Sequence, residues 1–254
     1  MKAMVLAAGL GTRLRPLTDG RPKALVTVAG RTMLEIALAR LRSFGVGEVI
    51  VNTHHYAEKI SQYLVANRNF GMRIEISHEE ELLDTGGGLK KAAWFFLDGK
   101  KPDDASLAPF ILHNVDVMSS IDIAKMVDAH VARGALATIA GQDRDTKRYL
   151  LYDEQGQLCG RRHGRDGELQ LVRPAIAPQA LAYSCIQVIS PLVFAKMTET
   201  GSFSIIDAEL RMAAQGERIV SFRTDDAYWR DLGRPESVEL GTREIESGAY
   251  FSGA

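Results

Sequence analysis

Cysteine is nearly missing from this chain: Cys159 and Cys185 are the only two among 254 residues. Two isolated thiols cannot build a disulfide framework or a zinc site, which fits small buried thiols in a reducing compartment. A surplus of one charge is missing as well, since 31 Lys and Arg face 32 Asp and Glu. The resulting net charge of -1 gives no global pull toward nucleic acid or an anionic membrane, so any anion site has to be local. No apolar run approaches the ~18 residues of a membrane span. The stretch from Ala3 to Leu10 is short for a secretory core, is broken by glycine and runs into Arg13 and Arg15 without a cleavage site. Glycine- or serine-rich linkers and internal repeats are also lacking. These absences lead us to expect one continuous domain over residues 1–254, cytoplasmic, monomeric or homo-oligomeric, with neither nucleic acid nor membrane as partner.

What is present is an alternation of two periodicities. "MKAMVLAAG" is a short apolar run stopped by glycine, as in a buried strand feeding a loop. "RTMLEIALARLRSFG" reads as a helix, with Thr32 as its cap, Glu35 completing a capping box, Leu34, Leu38 and Leu41 on one face and Gly45 ending it. Strand-like "EVIVNT", "MRIEIS", "PFILHNV" and "ALATIA" then alternate with helix-like "AEKISQYLVANRNFG", "LKKAAWFFL" and "IDIAKMVDAHVARG". The pattern predicts an α/β fold of Rossmann-like type: a mostly parallel, mixed sheet flanked by helices. From about Arg148 it changes to a hairpin around Gln155-Gly156, a strand in "ALAYSCIQVIS", a helix opened by Pro191, a helix in "IIDAELRMAAQG" and a strand in "ERIVSFR". We therefore expect a nucleotide-binding half of about 1–145 and a strand-rich half of about 146–254. Ligands of such folds bind beyond the carboxyl ends of the strands, which singles out 9–23, 52–56, 78–88 and 114–116 as informative loops.

The stretch "LAAGLGTRLRPLTDGRPKAL", Leu6 to Leu25, crowds glycines, threonines and cations just after the first strand. A dinucleotide fingerprint is disfavoured because Leu14 occupies the third glycine position, and an NTPase loop because no Gly-Lys-Ser/Thr unit follows. Glycines allow close backbone approach and aim N–H groups at an anion, Thr12 adds a hydroxyl, and Arg13 and Lys23 add charge. The same composition also suits a tight turn carrying solvated cations.

The spacing of Gly9, Gly11, Thr12, Arg13, Pro16, Thr18, Pro22 and Lys23 resembles the signature of the sugar-1-phosphate nucleotidylyltransferases, which make nucleotide-diphosphate sugars. The order "VNTHHYAEKI", "LLDTGGGLKKA", a strand ending in Asp116 and "WRDLGRPES" is similar to that family too. The resemblance implies that Leu6, Ala8, Gly9, Gly11 and Thr12 contact a nucleoside triphosphate, with Arg13 and Lys23 on its reacting phosphates. It implies that Thr85, Gly86 and Gly87 approach base and ribose from a loop, and that Asp116 and Asp231 hold Mg2+. Three departures stand out: Val115 where the family has a glycine before the metal aspartate, Cys185 where a glycine follows the aromatic-Ser/Thr pair (Tyr183-Ser184), and no Glu-Lys-Pro ahead of that strand. The short chain, the "TGGG" segment and the absence of hexapeptide repeats look most like the branch that uridylylates N-acetylmuramate 1-phosphate. That makes UTP the favoured nucleotide and a sugar 1-phosphate the second substrate, with mannose guanylyl and glucose thymidylyl transfer as rivals. A non-catalytic nucleotide-sugar binding protein and a nicotinamide-dependent oxidoreductase are the alternatives from other classes. His54-His55 reads as a loop or core pair, since adjacent residues on a strand end point apart, and His113 as a polar strand-end residue or a support for Asp116. "AAWFFL" reads as core.

Overall fold

The computed structural model describes residues 1–250. Its elements are β1 (Lys2–Leu6), β2 (Thr27–Val28), β3 (Arg31–Thr32), α1 (Met33–Ser43), β4 (Glu48–Thr53), α2 (Ala57–Ala66), β5 (Arg73–His78), α3 (Asp84–Lys91), α4 (Ala93–Leu97), β6 (Phe110–Asn114) and β7 (Val117–Ser119). There follow α5 (Ile123–Arg133), β8 (Ala137–Gln142), β9 (Arg148–Tyr152), β10 (Leu158–His163), β11 (Leu169–Leu171), β12 (Gln179–Ile189), α6 (Val193–Lys196), α7 (Ile205–Ala214), β13 (Ile219–Arg223), β14 (Trp229–Asp231) and α8 (Pro235–Glu246). The chain divides into two compact units that interleave in sequence. The first holds Met1–Leu83, Leu112–Asp122 and the described residues from Ala227 to Tyr250, and the second Asp84–Ile111 and Ile123–Asp226.

In the first unit the strands run in the order β6-β1-β4-β5. β1 pairs parallel with β4, Lys2 opposite Glu48 through Leu6 opposite Asn52, and β4 pairs parallel with β5. Ala3 to Leu6 and Val49 to Val51 are buried, as continuous apolar runs in a parallel sheet should be. Helix α1 buries Leu34, Leu38 and Leu41 completely. Its cap is half of the expected box: the Thr32 hydroxyl accepts from the Glu35 N–H at 3.1 Å, while the Glu35 carboxylate accepts from Arg31 and Tyr63 instead of reaching back. A nearby guanidinium offers that carboxylate a charged donor, which outweighs the neutral backbone N–H of the box. A two-stranded antiparallel ribbon, β7 with β14, sets Val117 opposite Asp231.

The second unit is richer in antiparallel pairs. β10 pairs with β11 and β9, and β12 with β9 and β8, all antiparallel, while β13 joins β8 in parallel. The hairpin expected at Gln155-Gly156 is the β9–β10 turn, with Gly156 at φ 72°. "AAWFFL" is core in part: Phe95 and Phe96 are buried, and Phe96, Phe110 and Phe194 stack with centroids 3.9 and 5.7 Å apart in succession, but Trp94 is 54% exposed. The helix expected over "LKKAAWFFL" is broken at Ala92 into α3 and α4. The glycines expected in a loop lie inside α3, a correction whose reason is packing: a Cβ on Gly86 would sit 2.4 Å from the Phe203 ring and 2.9 Å from the Ile205 nitrogen.

Candidate active site

The signature segment folds as a turn sealed by its own residues. Gly11 takes the left-handed conformation, φ 65°, and Leu14 is fully buried as the anchor of the short helical turn Thr12–Leu14. The Thr18 hydroxyl donates to the Gly11 carbonyl at 3.0 Å, and a Cβ on Gly11 would meet Thr18 Cγ2 and Lys23 Cβ at 3.1 Å. Both the conformation and the crowding require glycine there. The stem of Lys23 therefore packs under the loop while its ammonium reaches the Asp116 Oδ2 at 2.8 Å. Lys23 and Asp116 are 93 residues apart in sequence.

Asp116 is buried, 5% exposed, at the exit of β6. The ribbon of β7 and β14 brings Asp231 beside it, and the Leu232 N–H closes the end of the ribbon on the Asp116 carbonyl at 2.8 Å. Gly233 follows, its N–H donating to Asp231 Oδ1 at 2.5 Å. A Cβ on Gly233 would lie 2.6 Å from Asp231 Oδ1, 3.0 Å from Arg13 Nη2 and 3.4 Å from Asp116 Oδ2. One small volume above Gly233 is thus bordered by both carboxylates and a guanidinium, with the Lys23 ammonium on Asp116. The ribbon is braced from behind: Arg230 grips the Glu244 carboxylate with two hydrogen bonds of 2.6 and 2.5 Å, tying β14 to α8.

Of the residues singled out from sequence, Arg13, Lys23, Asp116 and Asp231 converge within the first unit, and Leu6, Ala8, Gly9, Gly11 and Thr12 belong to the adjoining strand end and loop. Thr85, Gly86 and Gly87 belong to the second unit, each engaged inside it: the Thr85 hydroxyl accepts from the Ile205 N–H at 3.0 Å, and the Gly86 and Gly87 N–H groups donate to the Phe203 carbonyl. Val115 needs no left-handed backbone; its side chain is 1% exposed and its N–H donates to the Leu6 carbonyl. Cys185 differs, standing at φ 59° where the β12–β8 register shifts. Cys159 is buried and its thiol is pushed up to about 11 by burial, whereas Cys185 is half-buried. His113 is 1% exposed, its Nδ1 2.7 Å from the Asn114 carbonyl, and burial drives its pKa down to about 4, so it stays neutral beside Asp116. His54 packs its Nδ1 2.9 Å from the Glu79 carbonyl, the loop role expected.

Among the described residues no group of three or more His, Cys, Asp or Glu side chains gathers as a complete metal cage. Two carboxylates drawn together beside Gly233 are nonetheless oxygen donors of the kind a hard divalent cation takes. Such an ion can take one or two protein carboxylates and fill its remaining positions with water and phosphate oxygens.

Comparison with known proteins fits this geometry. Residues 2–151 match the sequence profile described as Nucleotidyl transferase. The N-acetylmuramate alpha-1-phosphate uridylyltransferase of Caulobacter vibrioides is 33% identical over 92% of this chain and 93% of its own length. The chain belongs to the nucleotidyl transferase family. A mannose-1-phosphate guanyltransferase of Candida albicans is 30% identical over 95% of this nucleotidyltransferase but only 64% of its own length. The fold is shared with a crystal structure of a putative glucose-1-phosphate thymidylyltransferase from Bacillus anthracis, TM-score 0.77 at 18% identity over 96% of this chain and 94% of that one. Among the described residues of this nucleotidyltransferase no helix is long and apolar enough to cross a membrane.

The sequence reading passed over Gly233, Asn52 and Glu79. Gly233 ends the Trp-x-Asp-x-Gly motif already quoted, so its signal was present as spacing. Asn52 and Glu79 fell inside the stretches marked as strand exits but carried no chemistry of their own in sequence.

Proposed function

We propose that this nucleotidyltransferase joins UTP to N-acetylmuramate 1-phosphate, releasing pyrophosphate and UDP-N-acetylmuramate, with Mg2+ as cofactor. The observation that carries the catalytic part is the meeting of Arg13, Lys23, Asp116 and Asp231 beside Gly233, four charges gathered from the loop after β1, the exit of β6 and the end of β14. Support for the substrates comes from proportion: the N-acetylmuramate relative is matched over 93% of its length, the mannose relative over 64%.

In the reaction a sugar 1-phosphate oxygen attacks the α-phosphorus of the triphosphate in line, the bond to the β-phosphate oxygen breaks, and pyrophosphate departs with the electron pair. The chain has no need of a covalent nucleophile for this; positioning and charge stabilisation suffice. A divalent cation, when bound by Asp116 and Asp231, offsets the negative charge of the phosphates. Arg13 offers a planar fork to phosphate oxygens, and Lys23 a point charge free to turn from Asp116 toward the reacting phosphates. Gly9, Gly11 and Thr12 supply backbone N–H groups and a hydroxyl to the triphosphate, beside Leu6 and Ala8.

The test is pyrophosphate release over UTP, GTP and dTTP, each paired with the 1-phosphates of N-acetylmuramate, mannose and glucose, with and without magnesium. Release should be fastest for UTP with N-acetylmuramate 1-phosphate and should need the metal. A faster GTP and mannose pair would overturn the substrates; silence from every pair would overturn catalysis and favour a nucleotide-sugar binding protein.

A further inference from the structure

The geometry points to Asn52 and Glu79 as a paired clamp that sets the backbone of the Ala7 to Gly11 loop and through it the affinity for the nucleotide. Both side chains are buried, 3% and 1% exposed, at the carboxyl ends of β4 and β5. The Ala7 N–H, the first beyond β1, donates to Asn52 Oδ1 at 2.6 Å. The other end of the same amide, Asn52 Nδ2, donates to Glu79 Oε1 at 2.7 Å. The second carboxylate oxygen of Glu79 accepts from the Leu83 N–H at 3.0 Å, and the Glu79 backbone is itself fixed by its N–H to the Thr53 carbonyl at 2.7 Å.

A single polar relay thus runs from the start of the loop, across the exits of two strands, to the end of the turn 79–83. A buried carboxylate is costly unless its oxygens are engaged, and here both are used, one on an amide and one on a backbone N–H. Neither Asn52 nor Glu79 belongs to the charged group above Gly233, so they are positioning residues. They fix where Ala7 leaves the sheet, and Ala8, Gly9 and Gly11 follow within four positions. The claim about affinity rests on the nucleotide reading of that loop given above; the claim about its conformation does not.

The relay has a polarity that can be reversed. Glu79→Gln sets an amide N–H against either Asn52 Nδ2 or the Leu83 N–H. Asn52→Asp keeps the acceptor for Ala7 but turns a carboxylate on Glu79. In the double variant a glutamine at 79 can donate to the aspartate and accept from Leu83, so every bond is restored. Amide hydrogen exchange across residues 7–11 in nucleotide-free protein, KM for UTP and for the sugar phosphate, and melting temperature are read on all four proteins. Each single variant should speed exchange in the loop and raise KM for UTP about tenfold, the effect of one misplaced buried hydrogen bond. The KM for the sugar phosphate and kcat should change little, and the double variant should recover both readouts. The proposal is overturned if loop exchange is unchanged in the singles, if both KM values rise together, or if the double variant recovers only its melting temperature. Should the wild-type protein turn over no substrate pair, exchange and its recovery decide the clamp alone, separately from the fate of the catalytic reading.

Discussion

Asp116 in the first unit and Glu209 in the second are both nearly inaccessible carboxyls, 5% and 0% exposed, yet they are held in opposite ways. Asp116 has the Lys23 ammonium at 2.8 Å. Glu209, on α7, accepts instead from a neutral group, the Gln187 amide at 3.3 Å, which also donates to the Tyr183 hydroxyl at 3.1 Å. Burial pushes the Glu209 carboxyl up to about 8, so it carries a proton at neutral pH, and among the described residues Glu209 Oε1, Gln187 Oε1 and the Tyr152 hydroxyl have no hydrogen-bond partner. The contrast separates two uses of an acid. One is surrounded by other charges and is equipped for a charged ligand; the other is neutralised by its own proton and serves the packing of its unit. Burial by itself marks neither as functional, and a cluster of opposite charges around the acid is the discriminating feature.

Replacing the first acid should therefore cost far more activity than replacing the second. Asp116→Asn removes the partner of Lys23 and half of the carboxylate pair, and we expect pyrophosphate release to fall by about 10³-fold or more, at the upper end for a pre-organised electrostatic group. Glu209→Gln should leave the rate unchanged. Equal losses in the same assay would erase the distinction. Gly233→Ala comes next: it inserts a methyl group 2.6 Å from Asp231 Oδ1 and 3.0 Å from Arg13 Nη2, and a loss of ~10²–10³ in kcat is expected. Arg13→Ala should fall in the same ~10²–10³ range without the steric insertion. Gly233 is buried just beyond β14, so the melting temperature is read beside the rate: a collapse of the rate in a variant that still unfolds cooperatively near the wild-type temperature assigns the loss to the site, and a large fall in melting temperature assigns it to the fold.

The second acid should reveal itself in the pH dependence of stability. In the unfolded chain a glutamate releases its proton near 4.5, while folded Glu209 keeps it until about pH 8. Between these values the unfolded state binds fewer protons at this residue, so its contribution to stability falls as pH rises across that window and levels off above it, opposite in sign to the contribution of the buried His113 and His130 below pH 6.5. Glu209→Gln cannot titrate and should abolish that slope, so that the variant overtakes the wild type in denaturant unfolding as pH approaches 8. Parallel curves for the two proteins from pH 5 to pH 8 would show that Glu209 is ionised after all.

Much of the first unit was legible because its signals are local. Apolar runs ending in glycine gave β1 and the loop after it, leucine spacing gave α1, and the long spacing of the signature picked out Arg13 and Lys23. The aspartates were separable from the other acids only through resemblance, since nothing in one sequence says that Val117 pairs with Asp231. Asn52, Glu79 and Glu209 were illegible for the same reason: a polar residue does not disclose its distant partner, and the side-chain bonds from Asn52 to Ala7, from Asn52 to Glu79 and from Gln187 to Glu209 span 22 to 45 positions. The glycines at 86–88 misled because a glycine run reads as a loop unless the Phe203 ring that displaces the Cβ of Gly86 is known.

The smallest effect concerns the two places where a glycine was expected and another residue stands. Val115 shows no positive φ and buries its side chain, so Val115→Gly should only lose apolar contacts and add backbone freedom, destabilising by roughly 2 kcal/mol. Cys185 stands at φ 59°, where a side chain costs roughly 1–2 kcal/mol. Cys185→Gly releases that strain but loosens the unfolded chain, leaving a net gain of about 0.5 kcal/mol. Chemical unfolding of both variants checks the pair: opposite signs are expected, Val115→Gly below the wild type and Cys185→Gly at or slightly above it. A loss at position 185 as large as that at 115 would mean that the thiol, half-buried in β12, contributes packing that outweighs the strain of its backbone.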